Sequence, residues 1–408
     1  MRRRTLLGAS LATTLAALSP AALAAGQRQN HTPNNRNIVV IGAGIVGASI
    51  AWHLSSRGCK VTVLEAKAPA CQASGNSFAW INASYAKQPF SYHLLSSYAL
   101  HEYHRLAEQL PLPLKWGGCL EWMGDTEAQA AMVASIKKIQ TLGSPTWMID
   151  RQRAQALAPA VDFGSAEEVA YCALDGTVDA KVATEILLAS AQQAGATIIY
   201  PAPVTDISRR GGQLVANTAA GDFAADQIVV AAGTGTTRLA NSSGLQLAQR
   251  PTPGIIVTTR PMPQLLKPII VAPGVHIHQR ADGRVVVGEQ AGAPATEEHR
   301  GYLEGFPNRH PTPELAQQHA ARILAIAERF LPALSRAEVE DVGIGWRPMP
   351  MDGLPVIGGD PAEPGIYFAV MHSGVTLAPL VGRLAATELL DGISISLLDD
   401  FRPERLSA

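Results

Sequence analysis

The sequence predicts a doubly wound α/β fold interrupted by an inserted antiparallel-sheet domain, and three observations carry that expectation. Residues 37–66 read as strand, glycine turn, helix and strand in unbroken succession. Residues 227–233 form another apolar run ending in glycine, the pattern of a further buried strand. Residues 250–290 break the α/β alternation: they are rich in strands, with a hairpin turn at Asp282-Gly283.

The first unit is the most explicit. Residues 38–41 are apolar and β-branched, short enough for a buried strand. Gly42, Gly44 and Gly47 follow at G-x-G-x-x-G spacing. Gly42 permits the tight turn, Gly44 lets the backbone approach a pyrophosphate, and Gly47 lets helix and strand pack closely. The helix over residues 45–56 ends at Arg57-Gly58, and its first-turn N–H groups point toward phosphates. Residues 61–64 form the second strand, closed by Glu65, a carboxylate suited to ribose hydroxyls. The unit is a Rossmann-type dinucleotide site that leaves NAD and FAD open. A ligand-free glycine turn is disfavoured because strand, helix, second strand and acid are all present.

Farther along, residues 66–77 form a small-residue loop at the carboxyl end of the sheet, where ligands bind. Helices are predicted over 92–110, 126–142 and 151–157, and a strand over 120–123. A strand over 169–173 precedes Asp179, which caps a helix over 180–194 that Gly195 stops. Strands at 197–200 and 204–207 lead to a hairpin around residues 214–217 and Phe223. A helix starts near residue 234. Strands follow at 254–259, 275–279 and 284–288, then a helix over 313–330. A strand over 339–347 contains Gly343 and Gly345. A strand at 366–370, a turn at 371–374 and a helix over 375–390 complete the pattern.

The chain's 408 residues suit two domains, and a net charge of −1 shows no nucleic-acid footprint. Arg2-Arg3-Arg4 leads into an apolar, alanine-rich stretch that closes with Ala22-Leu23-Ala24, a secretory signal over residues 1–24. Its Arg-Arg-x-Leu-Leu character resembles a twin-arginine signal, which implies export of the folded protein to the periplasm. A Sec signal and a retained anchor are the alternatives; Pro20 and the short apolar run disfavour a permanent span. Residues 27–36 are a polar lead-in. Cys59, Cys71, Cys119 and Cys172 lack metal spacing; buried or free thiols are favoured over disulfides, and no metal site is expected.

Three separated blocks converge on one ligand: residues 38–65, residues 228–235, and a C-terminal block. That last block contains Gly343-Ile-Gly-Trp-Arg-Pro348, Asp352-Gly-Leu-Pro-Val-Ile-Gly358 and Met371-His-Ser-Gly-Val-Thr-Leu-Ala-Pro379. With these residues the chain resembles the D-amino-acid-oxidase-like (DAO) superfamily of flavoenzymes, which includes glycine oxidase, the sarcosine oxidases and the small subunit of D-amino acid dehydrogenase. The resemblance covers most of residues 36–400, and its terminal block is a FAD signature. It implies that Gly42, Gly44, Gly47 and Glu65 hold the ADP half and that the loop with Ser74, Asn76 and Ser77 passes the pyrophosphate and ring. It implies that Val204 meets the adenine through its backbone and that Gly233 lies near the cofactor. Gly358 and the run His372, Ser373, Gly374, Val375, Thr376 would follow the pyrimidine side of the flavin.

The same resemblance makes Arg347 and His372 the catalytic candidates. Arginine's fork of donors suits a substrate carboxylate, and a structural ion pair is the bland alternative. A second arginine, present in glycine oxidase, is replaced here by the stretch Met371 to Gly374. His276 and His278 alternate on one strand and face one side, either into a pocket or as a solvated sheet face. Trp80, Asn82, Tyr85 and Trp346 are candidates for pocket wall or core. No cysteine lies beyond residue 172 and no histidine lies in 71–77, so FAD is expected to be held non-covalently.

The function implied is FAD-dependent oxidation of the C–N bond of an amino acid or small amine, with hydride passing to flavin N5 and the imine hydrolysing afterwards. The electron acceptor is oxygen or a respiratory-chain component, the latter with peripheral membrane contact. Sarcosine-type members use a lysine for oxygen, and residues 284–288 contain none. Alternatives are a periplasmic tailoring flavoenzyme of a secondary-metabolite or siderophore pathway, and a FAD-binding accessory protein without turnover. The expected division assigns residues 36–110, 165–245 and 335–408 to the FAD-binding domain and residues 111–164 and 246–334 to the substrate domain.

Overall fold

The computed structural model describes residues 34–242, 244–289 and 312–406, so the signal expected over residues 1–24 and most of the lead-in lie outside the described residues. The first strand, Asn37–Ile41, sits near the middle of a six-stranded sheet. The order is Val356–Gly359, Ile366–Val370, Gln227–Val230, Asn37–Ile41, Lys60–Leu64, Thr197–Ile199. Every neighbour pair is parallel except the outermost, where Val356–Gly359 runs antiparallel to Ile366–Val370. Strands so placed have both faces covered, which explains why they read as continuous apolar runs.

The helix Ile45–Ser55 is buried almost all round. It packs between the helices Ala180–Gln193 and Gly374–Asp391, and a helix enclosed in this way needs no polar face. Ile50, Leu54, Leu187 and Val381 belong to the core on this side of the sheet. The other side is covered by the antiparallel meander Val204–Arg210, Gln213–Thr218 and Gly221–Ala225, with Val39, Ile41, Leu214, Ile228 and Phe368 packed between.

The second layer is an eight-stranded sheet, ordered Val339–Pro350, Gln249–Pro261, Arg284–Glu289, Val275–Gln279, Ile269–Ala272, Cys119–Glu121, Glu168–Cys172, Thr146–Asp150. It is antiparallel except where Ile269–Ala272 meets Cys119–Glu121. The helix Pro313–Glu328 covers one face, and Ile277, Val287, Ile323 and Leu331 share that core.

Two strands depart from the expected division at residues 165 and 335. Glu168–Cys172 pairs with Thr146–Asp150 and Cys119–Glu121, and Val339–Pro350 pairs along its length with Gln249–Pro261. Both therefore belong to the antiparallel sheet. The second continues in sequence into the C-terminal block, so chain contiguity concealed its change of layer. Among the described residues, no helix is long and apolar enough to cross a membrane.

A candidate cofactor and substrate cavity

The ends of both sheets enclose a cavity of about 770 Å³, toward the upper range of small-molecule sites. It runs from Gly42 and Gly44, past Glu65 and Val204, along Ser74, Asn76 and Ser77, to Arg347 and the stretch His372–Thr376.

At the glycine turn, Gly42 has φ +108°, and a Cβ there would lie 2.4 Å from the Ala231 carbonyl oxygen. A Cβ at Gly47 would lie 2.1 Å from the Gly42 carbonyl oxygen. Gly47 does not line the cavity; its role is the close helix–strand contact expected of it. Gly44 differs, because a Cβ would meet only Ser74 Oγ, at 3.2 Å. It lines the cavity, leaving the cradle open for a phosphate.

Glu65 is fixed by two backbone donors: Ala43 N–H reaches Oε2 and Lys67 N–H reaches Oε1, both at 2.9 Å. A carboxylate has lone pairs to spare beyond these, available to ribose hydroxyls. Ser74 Oγ accepts Ile45 N–H at 3.0 Å, so one of the helix donors expected to face phosphate is met by the loop. Val204 lines the cavity, with its carbonyl accepting from Arg238 at 2.6 Å. Gly233 also lines it, and its carbonyl accepts from Gln249 at 3.2 Å.

The opposite end is built on Val339–Pro350. Gly343 and Gly345 let the loop around Asn76 lie directly on this strand; a Cβ at either would come within 2.3 Å and 2.2 Å of Asn76 oxygens, respectively. The strand then delivers Arg347 to the cavity wall. Its Nε donates to Thr252 O at 3.2 Å and Nη2 to Pro253 O at 3.4 Å. No ion pair engages it among the described residues, and burial lowers its pKa.

The run His372–Thr376 forms the facing wall at the start of the helix Gly374–Asp391. Ser373 Oγ lies 3.1 Å from the Tyr92 hydroxyl, and Tyr103 donates to Val375 O at 2.6 Å. Thr376 Oγ1 accepts Asn82 N–H at 3.2 Å and donates to Trp80 O at 3.1 Å. Those bonds fix the wall formed by Trp80, Asn82 and Tyr85, all three of which line the cavity together with Trp346.

His276 and His278 do face the same side, and that side is enclosed: the rings lie 5.5 Å and 4.7 Å from the Phe78 ring. His276 lines the cavity, and its Nε2 has no partner among the described residues. His278 Nε2 bonds to Phe78 O at 2.9 Å.

Gly358 is a correction. It does not reach the cavity; opposite Phe368 on the edge strand it lies beneath the C-terminal segment, where a Cβ would meet Pro403 and Arg402 at 3.0 and 3.2 Å. Lys87 escaped sequence reasoning. It lines the cavity, donates to Ser96 Oγ at 2.8 Å and sits 5.0 Å from the Tyr92 ring centroid. Burial pushes its pKa down to about 8. A lone lysine in a loop gave no signal. None of the four cysteines lines the cavity, and all four are free thiols.

Enclosure holds four histidines neutral. Burial is the chief cause in each case, pushing His53 and His278 to about 3 and His276 and His372 to about 4. Nearby cations add to this, Arg347 among them for both cavity histidines. Unfolded imidazole titrates at about 6.5, so below that pH each of these four histidines binds more protons unfolded than folded. Their contribution to stability is complete above about pH 6.5 and is lost as pH falls toward about 4; the buried Glu121 and Asp175 carboxyls, raised by burial, work the other way, and the four histidines outnumber them. Thermal melts of the holoprotein are expected to show a nearly constant Tm from about pH 8 to 7 and a steep decline from about pH 6 to 4.5. A flat Tm across the acidic interval would contradict this reading.

Comparison with known proteins agrees with the geometry. The family model described as "DAO: FAD dependent oxidoreductase" matches residues 37–388. Glycine oxidase from Geobacillus kaustophilus is 26% identical over 362 residues, covering 86% of this chain and 92% of the relative. An opine oxidase subunit from Agrobacterium tumefaciens is 29% identical over 381 residues, covering 88% and 96%. The crystal structure of the Geobacillus kaustophilus glycine oxidase matches in fold with a TM-score of 0.79 at 24% identity, covering 90% of this chain and 98% of that one. Glycine turn, acidic strand end and C-terminal helix around one cavity, on a chain matched over residues 37–388, make this protein a member of the DAO family of FAD-dependent oxidoreductases.

Proposed function

We propose that this protein oxidises the C–N bond of an amino acid or small amine, giving an imine that hydrolyses to a carbonyl compound and an amine. FAD, when bound, supplies the two-electron acceptor. Gly42, Gly44 and Glu65 hold its ADP half. Ser74, Asn76 and Ser77 border its middle, and His372 to Thr376 border the ring. The start of the helix Gly374–Asp391 offers a positive dipole end to charge that develops nearby. None of the four cysteines lines the wall and residues 71–77 contain no histidine, which supports a cofactor held non-covalently.

One observation carries the substrate reading: Arg347 lines the cavity with no carboxylate partner among the described residues. A guanidinium in that position suits a substrate carboxylate and orients the Cα–N bond. His276 and His372, kept neutral, offer hydrogen bonds without adding charge. Trp80, Tyr85 and Trp346 supply apolar surface that excludes water. The leader over residues 1–24 supports export to the periplasm by the twin-arginine route, with oxygen or a respiratory-chain component as acceptor.

Anaerobic mixing of the FAD-loaded protein with glycine, sarcosine, D-alanine, L-proline and N-carboxyalkyl amino acids tests this reading. Bleaching of the flavin's visible band by at least one of them is expected. No bleaching by any free amine would overturn it in favour of a larger, pathway-specific substrate or an accessory role.

A further inference from the structure

A second, much smaller cavity of about 30 Å³ lies behind the main one, with room for about one water. Tyr85 is the one residue that lines both cavities among the described residues. Its hydroxyl donates to Glu121 Oε1 at 3.1 Å, and Glu121 lines only the smaller cavity. Glu121 is 8% exposed, and no cation pairs with it among the described residues. Its strand neighbours are the apolar Val271 and Ala170, and Met132, Ser135 and Ile136 close the cavity from the helix Thr126–Gln140. Ser135 is exposed, so the small cavity borders the surface.

A buried carboxylate without a cation is costly to keep charged. The wall beside it is tied together by a different carboxylate, Asp175. Asp175 accepts from Ser84 Oγ at 2.7 Å, Trp80 Nε1 at 2.8 Å and Ala83 N at 3.2 Å.

We propose that Tyr85 and Glu121 form a path that takes the proton from the substrate's amino group out of the main cavity. This inference rests on the amine-oxidising reading. An amino acid arrives as an ammonium, whereas oxidation at Cα requires the free amine lone pair. Arg347 and Lys87, which line the same cavity, disfavour a further positive charge beside them. The ammonium N–H bond breaks and its proton joins Tyr85 Oη, while the Tyr85 hydroxyl proton passes to Glu121 Oε1. The substrate becomes a neutral amine and Glu121 a carboxylic acid; no electrons move in this step. Glu121 then returns its proton to solvent through the small cavity. Tyr85 contacts the substrate, and Glu121 acts through it.

The groups facing Glu121 are Tyr85, Asp175, Cys119 and Cys172. Burial raises its carboxyl to about 7, opposed by the Tyr85 hydrogen bond and helped by the Asp175 charge. The carboxylate able to accept a proton therefore appears as pH rises through about 7.

The test uses Tyr85→Phe and Glu121→Gln, both close in shape to the native residues. The rate of anaerobic flavin reduction by glycine, sarcosine and L-proline is followed against pH. In the native protein the rate rises with an inflexion near 7. Each variant keeps its flavin spectrum and Tm, loses the inflexion, and is slower by about 100-fold near pH 7. The deficit closes toward about pH 10, where the free amine is supplied by solution. Variants slowed equally at every pH, or not slowed at all, would overturn the path. A native protein that no amine reduces at any pH would instead overturn the parent reading, and the path with it.

Discussion

Replacing Arg347 with methionine is expected to leave FAD bound and the fold intact while raising KM for an amino acid by about 100-fold, roughly 3 kcal/mol. Among the described residues the side chain donates only to two carbonyls, Thr252 O and Pro253 O, at 3.2 and 3.4 Å. Methionine keeps the aliphatic stem and forfeits the charge and the fork. A carboxylate then enters a wall with no matched donor pair, and the loss falls on binding and orientation. Arg347→Lys keeps a point charge without the planar fork and is expected to recover only part of the loss. The measurement is steady-state KM and kcat alongside the flavin absorbance of the purified variant. Loss of flavin together with a lowered Tm would assign Arg347 a structural role instead.

The glycine turn gives the second large effect through a contrast between neighbours. Gly47→Ala is expected to cost roughly 3 kcal/mol or more and to yield little folded protein, because the new Cβ would sit 2.1 Å from the Gly42 carbonyl oxygen. Gly44→Ala is expected to fold almost normally, since its Cβ meets only Ser74 Oγ at 3.2 Å. Its φ of −77° suits any residue. That methyl narrows the phosphate cradle, so FAD affinity falls by about tenfold or more, roughly 1.4 kcal/mol. Tm of the apoprotein and the ratio of flavin to protein separate the two outcomes. Equal behaviour of the two variants would show that the glycines do not divide packing from ligand approach.

Much of this architecture was legible in the sequence where local signals and tertiary demands agree. The strand Asn37–Ile41, the helix Ile45–Ser55 and Glu65 each carry their signal in adjacent residues. Arg151–Leu157, Val275–Gln279 and Ile366–Val370 match the expected spans for the same reason. Short strands escaped notice: Leu114–Trp116 and Gly176–Val178 have three residues each, too few to display a period. Ile269–Ala272 owes its place to pairing with Cys119–Glu121, a contact no local pattern encodes. The cavity was partly legible. Trp80, Asn82, Tyr85 and His276 were candidates whose side could not be chosen until Phe78 and Thr376 were seen to fix it. Lys87 and Glu121 lay beyond reach, because their significance is burial without an ionic partner. Gly358 misled because its neighbours in sequence do reach the sheet's interior.

Oxidation of a C–N bond by FAD held in this cavity has a direct chemical readout, the products of a single anaerobic turnover. With an amino acid that bleaches the flavin, one carbonyl compound and one ammonia or amine are expected per flavin bleached. Bleaching without release of any nitrogen product would contradict C–N oxidation as the reaction of this site.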